Sequence, residues 1–411
     1  MRLRPRLKTE VARVVRRGNC SGCGACKLVS SAIHMELADD GFLRPVVDER
    51  QERAGSLRSE RRDVSAFRQV CPGVTLSAPQ ADAQHRTHAV FGQYISAYSA
   101  YATDSAFRFN GSSGGVLSAL SGWLVETGRA RSVSGCGAAD RAPTQTVPVK
   151  ITSRDAAFKA AGSRYAPAGV AGIYSDDPSD AFVGKPCEVS AVAKFQDLRE
   201  VPAEDMPLML SFFCAGTPSQ HATDSLVEQL GMDIGRVRRL RYRGNGWPGQ
   251  FTVEDDAGNR VQASYEDSWG RTFGKQVQWR CKICPDGLGR HADIAVGDFW
   301  HSDESGYPIF AESDGVSVLL TRSRRGEELV AAAARDGVIR AERIDIEHVA
   351  HMQPLQVRRT LGITGRVLGR WLVGLPAPRY RGFRLLWRLY KYPRLTAREA
   401  KGTYVRSRRR P

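Results

Sequence analysis

The residues best suited to chemistry are the cysteines, of which the 411-residue chain has nine. Three sit in Cys20-Ser21-Gly22-Cys23-Gly24-Ala25-Cys26, and Cys71-Pro72 follows forty-five residues after Cys26. Thiolates at successive two-residue gaps can wrap one face of a 4Fe-4S cube, and a distant Cys-Pro can close the fourth corner, as in ferredoxins. Gly22 and Gly24 let such a loop turn amide N–H groups toward sulfur without a Cβ in the way. Zinc also takes four thiolates, but its sites usually arrange them as two separated pairs, so the triplet favours the cluster.

A second set is dispersed: Cys187 in Gly184-Lys185-Pro186-Cys187, Cys214 in Phe212-Phe213-Cys214, and the pair in Cys281-Lys282-Ile283-Cys284-Pro285-Asp286. Spacing alone does not unite them. A Cys-x2-Cys pair suits zinc, and single cysteines after apolar strands more often pack as small hydrophobes. Cys136, in Ser134-Gly135-Cys136-Gly137, is read as a structural thiol for that reason. Gly111-Ser112-Ser113-Gly114-Gly115 precedes a helical pattern and could cradle phosphate on the unpaired first amides of that helix, or could merely reverse the chain. Its spacing is neither Walker A nor a Rossmann fingerprint. The eight histidines form no motif, and His34, His85 and His88, near the first cysteine group, are assigned no ligand role.

These residues need elements to hold them. Residues 48–63 are polar and charge-dense, a loop or exposed helix between Cys26 and Cys71. Residues 91–103 suit a strand, and Val116, Leu117, Leu120, Trp123 and Leu124 recur at helical spacing up to Gly128, a C-cap. The apolar runs 181–183 and 208–213 each end in a small-residue turn before a helix, with Cys187 and Cys214 at the turns. Residues 244–249 read as a turn, 251–254 and 260–264 as a hairpin, and 316–320 as one more strand. The predicted fold class is α/β and α+β: an N-terminal ferredoxin-like cluster segment followed by a mixed α/β core.

The order of motifs carries more than any one of them. Gly-Ser-Ser-Gly-Gly is followed by Gly162-Ser163-Arg164-Tyr165, Gly-Lys-Pro-Cys, Phe-Phe-Cys and Tyr242-Arg243-Gly244-Asn245-Gly246-Trp247-Pro248-Gly249. Cys-x2-Cys-x-Asp then leads into Ala292-Asp293-Ile294-Ala295-Val296-Gly297-Asp298. The series resembles the coenzyme F420 hydrogenase/dehydrogenase beta-subunit family over roughly residues 18–350, in the version with a second, ferredoxin-like cluster found in 7-hydroxymethyl chlorophyll a reductase-like members.

The resemblance implies a flavin-binding core with FAD and two 4Fe-4S clusters. Cys187, Cys214, Cys281 and Cys284 become ligands of a flavin-proximal cluster, and Cys20, Cys23, Cys26 and Cys71 of a distal one. Ser112, Ser113, Gly114 and Gly115 become candidates for the FAD pyrophosphate, with Ser163, Tyr165 and Lys185 as neighbours of the cofactor. Several relatives have Thr where Lys185 stands, and its alternative is a solvated strand-end lysine. Asp286 and Asp298 are expected around the second cluster loop, or as turn or cap residues. The expected units are residues 1–90, a FAD-binding α/β region 91–240, a region 241–350 with the second ligand set, and a basic, aromatic-rich tail 351–411. The implied activity is an oxidoreductase passing electrons between FAD and a redox partner, coenzyme F420 or ferredoxin. The rivals are a ferredoxin-dependent reductase of a small or membrane-surface substrate and a non-catalytic relay subunit in a larger complex.

Composition narrows the setting. Hydrophobic residues make up 42% and charged residues 25%, which excludes disordered and collagen-like classes. No run approaches the roughly 18 apolar residues of a membrane span, and residues 1–17 lack an apolar signal core, so a cytoplasmic protein with reduced thiols is expected. The net charge of +16 sits mostly at one end: residues 366–411 hold fourteen Lys and Arg against one acid, Glu399. The remainder shows no nucleic-acid motif, so no specific nucleic-acid partner is expected. The tail interleaves those cations with Trp371, Leu386, Trp387 and Tyr390. That pattern suits an anionic membrane surface at the inner face, an intramolecular helix, a polyanion-binding tail or a solvated end. Homo-oligomer and enzyme-complex assemblies both remain open.

Overall fold

The computed structural model describes residues 6–408 except Gly55, Ala81, residues 301–308 and residues 310–311. Its centre is an eight-stranded mixed sheet in the order Ile339–Arg343, Ser96–Ala102, Ser317–Thr321, Ile294–Asp298, Leu208–Phe212, Asp180–Gly184, Ser132–Ala138, Thr146–Ile151. Leu208–Phe212 runs parallel to both of its neighbours, and Asp180–Gly184 also runs parallel to Ser132–Ala138. These middle strands are covered on both faces, which is why they read as short apolar runs rather than alternating ones.

One face packs the helix Val116–Glu126, whose Val116, Leu120 and Leu124 meet Val133, Leu210 and Leu319. Gly128 closes that helix with φ +69°, as its C-cap position demands. The other face packs the helix Pro186–Leu198, where Val189 and Val192 join Phe182 and Met209. Fully burying such side chains contributes about 1.5–3 kcal/mol each.

The N-terminal segment seats on this second face: Cys23, Ala25 and Val70 belong to the same core as Val189. It has a small core of its own. The helix Leu7–Arg16 places Leu7, Val11 and Val14 on one stripe against Val64 and Phe67 of the helix Leu57–Val70, with the hairpin Ile33–Leu37 and Leu43–Val47 beside them. Residues 48–63 therefore take the exposed-helix form, over Glu49–Ala54 and the start of Leu57–Val70.

Two expected boundaries differ in the fold. Strands from both sides of residue 240 join the one large sheet, so 91–240 and 241–350 share a core. What is separate after residue 236 is a three-stranded sheet, Val237–Arg241, Phe251–Asp255 and Arg260–Ala263, with an aromatic core of Tyr242, Phe251 and Phe273. Residues beyond 351 are likewise part of the body, the intramolecular form among those expected of the tail. Arg379–Arg381 pairs with Thr75–Ser77, and the helices Ile363–Trp371 and Pro393–Arg408 pack closely. A Cβ on Gly365 would stand 2.2 Å from the Thr396 carbonyl oxygen, and one on Gly369 would stand 2.4 Å from that of Ala400. Arg370 and Arg388, each 2% exposed, turn inward to the carbonyls of Arg17 and Ala89. Two of the tail's cations are thus spent inside the fold, while most of its other described cations stay exposed. No helix among the described residues is long and apolar enough to cross a membrane.

Candidate functional site: two cysteine cages and an aromatic cluster

Cys20, Cys23, Cys26 and Cys71 line one cavity, closed by Val11, Val14, Met35, Phe67 and Pro72. The loop needs its glycines: Gly22 (φ +65°) and Gly24 (φ +83°) are left-handed, and a Cβ on Gly24 would stand 2.7 Å from the Gly169 carbonyl oxygen. The Gly22 amide donates to Cys20 Sγ at 3.4 Å. Burial raises all four thiols, Cys71 to about 12. Lys194, itself pushed down to about 8 by burial, is a cationic neighbour of Cys71 and Cys23 and donates to the Thr75 carbonyl at 2.7 Å.

Cys187, Cys214, Cys281 and Cys284 line a second cavity with Arg280, Asp286 and Arg359. Here the sheet does the positioning. Asp180–Gly184 and Leu208–Phe212 are parallel, so Cys187 and Cys214 emerge together at their carboxyl ends, where ligands gather in α/β sheets. The short helix Trp279–Lys282 brings in Cys281, and the Thr217 amide donates to its Sγ at 3.4 Å. From the helix Pro354–Leu361, Arg359 donates to the carbonyls of Cys214 (2.9 Å) and Cys281 (3.1 Å). Burial pushes Cys214 up to about 12.

Asp286, 2% exposed, accepts from the amides of Leu288 and Arg290, and so holds the turn after Cys284. Among the described residues no three His, Cys, Asp or Glu side chains converge as ligands of a single metal ion. In both places four thiols surround a void with a sulfur-directed amide, behind apolar walls in the first and beside two arginines in the second, a donor set that fits a four-thiolate cluster.

The cages are neighbours. Ser21 lines both, and Arg280, which lines the second, donates through Nη2 to the carbonyl of Pro72, which lines the first. Arg280 is 1% exposed, and its Nε and Nη1 have no hydrogen-bond partner.

The third place gathers motifs that are far apart in sequence. The Ser163 amide donates to Ser112 Oγ, Arg241 donates to the Asn110 carbonyl at 2.8 Å, and a Cβ on Gly244 would stand 2.7 Å from that same oxygen. Ser113 Oγ donates to the Val316 carbonyl and the Gly114 amide donates to Ser317 Oγ, so these two are tied to the strand Ser317–Thr321. Gly115 (φ +69°) opens the helix Val116–Glu126, whose first residue is buried, and Ser112 is half-buried at its approach.

Beside them Arg243, 1% exposed, is held by both oxygens of Asp298 (3.0 and 2.9 Å) and stacked on Trp247, Tyr265 and Trp300 at 4.6–5.0 Å. Its buried Nη2 has no hydrogen-bond partner, which suits a ligand acceptor oxygen. Tyr165 stacks on Trp269 at 4.7 Å in the adjoining aromatic core.

Sequence reasoning placed several of these residues differently. Asp298 belongs to Arg243 rather than to the second cysteine loop. Lys185 is not solvated: 8% exposed, it pairs with Glu188 at 2.7 Å and donates to the Ala168 carbonyl, as an electrostatic neighbour of Cys23 and Cys187 rather than beside Ser112. Cys136 lies on the strand Ser132–Ala138, half-buried against the core that holds Val189. His34, His85 and His88 pair with Glu36, Asp82 and Glu347. Arg243 and Arg280 were missed, although one lies within the Tyr242–Gly249 motif and the other precedes Cys281.

This fold has a counterpart among solved structures. A chain of the F420-reducing NiFe hydrogenase complex from Methanosarcina barkeri superposes with a TM-score of 0.54 at 22% identity, covering 72% of this chain and 98% of that one. Residues 97–174 match the N-terminal part, and residues 179–347 the C-terminal part, of the family described as "Coenzyme F420 hydrogenase/dehydrogenase, beta subunit". The chain belongs to this coenzyme F420 hydrogenase/dehydrogenase beta-subunit family. It is 25% identical to the coenzyme F420 hydrogenase subunit beta of Methanosarcina barkeri over 265 residues, covering 62% of this chain and 84% of that protein. Against the protein of the same name from Methanococcus voltae it is 25% identical over 316 residues, covering 70% and 99%. The F420-dependent formate dehydrogenase 1 subunit beta of Methanococcus maripaludis is 24% identical over 253 residues, covering 60% and 61%. The first cysteine cage lies ahead of both matched spans.

Proposed function

We infer that the chain is an oxidoreductase that passes electrons between FAD and a redox partner, coenzyme F420 or ferredoxin, through two 4Fe-4S clusters. The observation that carries this is the pair of four-cysteine cavities sharing Ser21 as a wall. When bound, flavin exchanges electrons in pairs or singly, and the clusters carry them singly. The chain's part is positional. The cages exclude water and turn amides onto Cys20 and Cys281, while Arg359 braces the carbonyls of Cys214 and Cys281. Ser112 and the first turn of Val116–Glu126 would receive the FAD pyrophosphate, with Arg243 offering a fixed donor inside an aromatic wall. The names of the relatives support coenzyme F420 as one partner and a multi-subunit assembly as a setting. Anaerobically purified protein should hold about eight iron atoms and one FAD per chain. Zinc in place of iron sinks the reading.

A second reading concerns location. Leu386 (82% exposed), Tyr390 (87%) and Trp371 (65%) are outward-facing, in a stretch that also exposes Arg384, Lys391 and Arg394. That pairing suits the anionic face of a membrane.

A further inference from the structure

The wall of the first cage has an outer side. Val14 lines the cage and also a cleft of about 610 Å³; Asn19, next to Cys20, and Gly73, just after Pro72, line the cleft too. Its rim carries Arg13, Arg17, Arg68 and Arg379, and none of its lining residues is acidic. Glu10 pairs with Arg13 and Arg68 from the buried side, whereas Arg17 and Arg379 are exposed and carry no ion pair among the described residues.

We propose that this cleft is the docking surface for an acidic one-electron carrier protein, which exchanges electrons with the first cage. This rests on the reading that the cage holds a cluster. The exchange moves one electron from the carrier's centre to that of the cage, or back, with no bond made and no proton transferred. Transient electron-transfer contacts are small, polar and steered by opposite charge. Asn19 Nδ2 donates to the Pro376 carbonyl at 2.9 Å, which ties the cleft wall next to Cys20 to the C-terminal segment that carries Arg379. The guanidinium rim suits the surface carboxylates of a protein.

The test uses the full-length holoprotein with an acidic plant-type 2Fe-2S ferredoxin and an acidic bacterial 4Fe-4S ferredoxin as probes. Binding is measured by calorimetry and reduction by stopped flow, with the methyl viologen radical as a small control donor. Arg17→Glu with Arg379→Glu should weaken ferredoxin binding at least tenfold at low salt and slow reduction by ferredoxin alike. Arg17→Gln with Arg379→Gln should do so severalfold, and high salt should erase both differences. Reduction by methyl viologen should not change. Iron-free protein that keeps the charge-dependent binding would still support the docking surface while removing the cluster reading. Variants that bind as tightly as wild type, wild type that binds neither probe, or tight binding of inorganic phosphate alone each overturn the proposal.

Discussion

Arg280 reaches from the wall of one cysteine cage to the wall of the other, its Nη2 donating to the carbonyl of Pro72 at 3.3 Å. It is fully buried with two nitrogens unpartnered, the Tyr380 ring lies 5.7 Å away, and Cys187, Cys281 and Cys284 are electrostatic neighbours. A guanidinium stays charged when buried, so this is a fixed positive charge beside both places where an added electron would reside. Arg280→Met should therefore lower the reduction potentials, by at least about 59 mV for the cluster it faces most closely, a tenfold change for a one-electron couple. Arg280→Lys should restore part of the shift. An EPR-monitored redox titration reads this without turnover, and potentials indifferent to charge would remove Arg280 from any electrostatic role.

The cages assign eight cysteines and leave one over. Cys23→Ser and Cys284→Ser should each lose about half of the iron, from different cages, because each removes one of four thiols around a separate void. Cys136→Ser should leave iron and flavin nearly intact, since Cys136 lines neither cavity. Iron and flavin analysis of the three variants checks the assignment, and cluster loss in Cys136→Ser would show it to be wrong.

Gly114 tests the Ser112 loop separately. A Cβ there would stand 2.6 Å from the Ala100 carbonyl oxygen and 3.0 Å from the Ser317 amide, in a loop already tied down on both sides. Gly114→Ala should destabilise the fold by about 1–3 kcal/mol through overpacking and release flavin, while leaving iron in the first cage. Retained FAD at full stoichiometry would separate the Gly-Ser-Ser-Gly-Gly loop from the flavin.

Asp180 opens the strand that leads to Cys187. Burial pushes its carboxyl up, but hydrogen bonds from Arg131 and Ser132 and the charge of Lys150 outweigh that and bring it from 3.8 to about 2. A carboxyl depressed by folding contributes stability that is present above its unfolded value and lost as pH falls through its folded one. Thermal melts should show this contribution fading between pH 4 and 2 in wild type and absent in Asp180→Asn. Parallel pH profiles for the two proteins would count against it.

Local signals were legible in the sequence and long-range ones were not. The Cys20–Cys26 loop, the Val116–Glu126 helix with its Gly128 cap, and the strands ending before Cys187 and Cys214 all follow from spacing and neighbours. What spacing cannot carry is that Asp180–Gly184 and Leu208–Phe212 lie side by side, which alone brings Cys187 to Cys214. Arg280 had no signature, because an arginine before a cysteine means little until folding sets Pro72 against it. Lys185 misled for the same reason: its partner Glu188 is one helical turn away, but the Ala168 carbonyl that also receives it comes from a separate loop. The division expected at residue 240 marked a change of local pattern, not of core.

The tail shows how composition and packing divide the work. It binds the body through Arg359, Arg366 and Tyr380, which donate to the carbonyls of Cys281, Lys282 and Ile283, so deleting it would expose the second cage. The membrane question must therefore be put to surface side chains. Leu386 and Tyr390 are outward-facing and flanked by Arg384, Lys391 and Arg394, each cation contributing on the order of 1 kcal/mol near an anionic surface. The intact protein should sediment with anionic vesicles at low salt, and much less with neutral ones. Leu386→Ser with Tyr390→Ser should reduce that binding severalfold while iron content and melting temperature stay unchanged, because neither side chain is buried in the fold. Equal sedimentation of variant and wild type would mean that the surface is not a membrane contact.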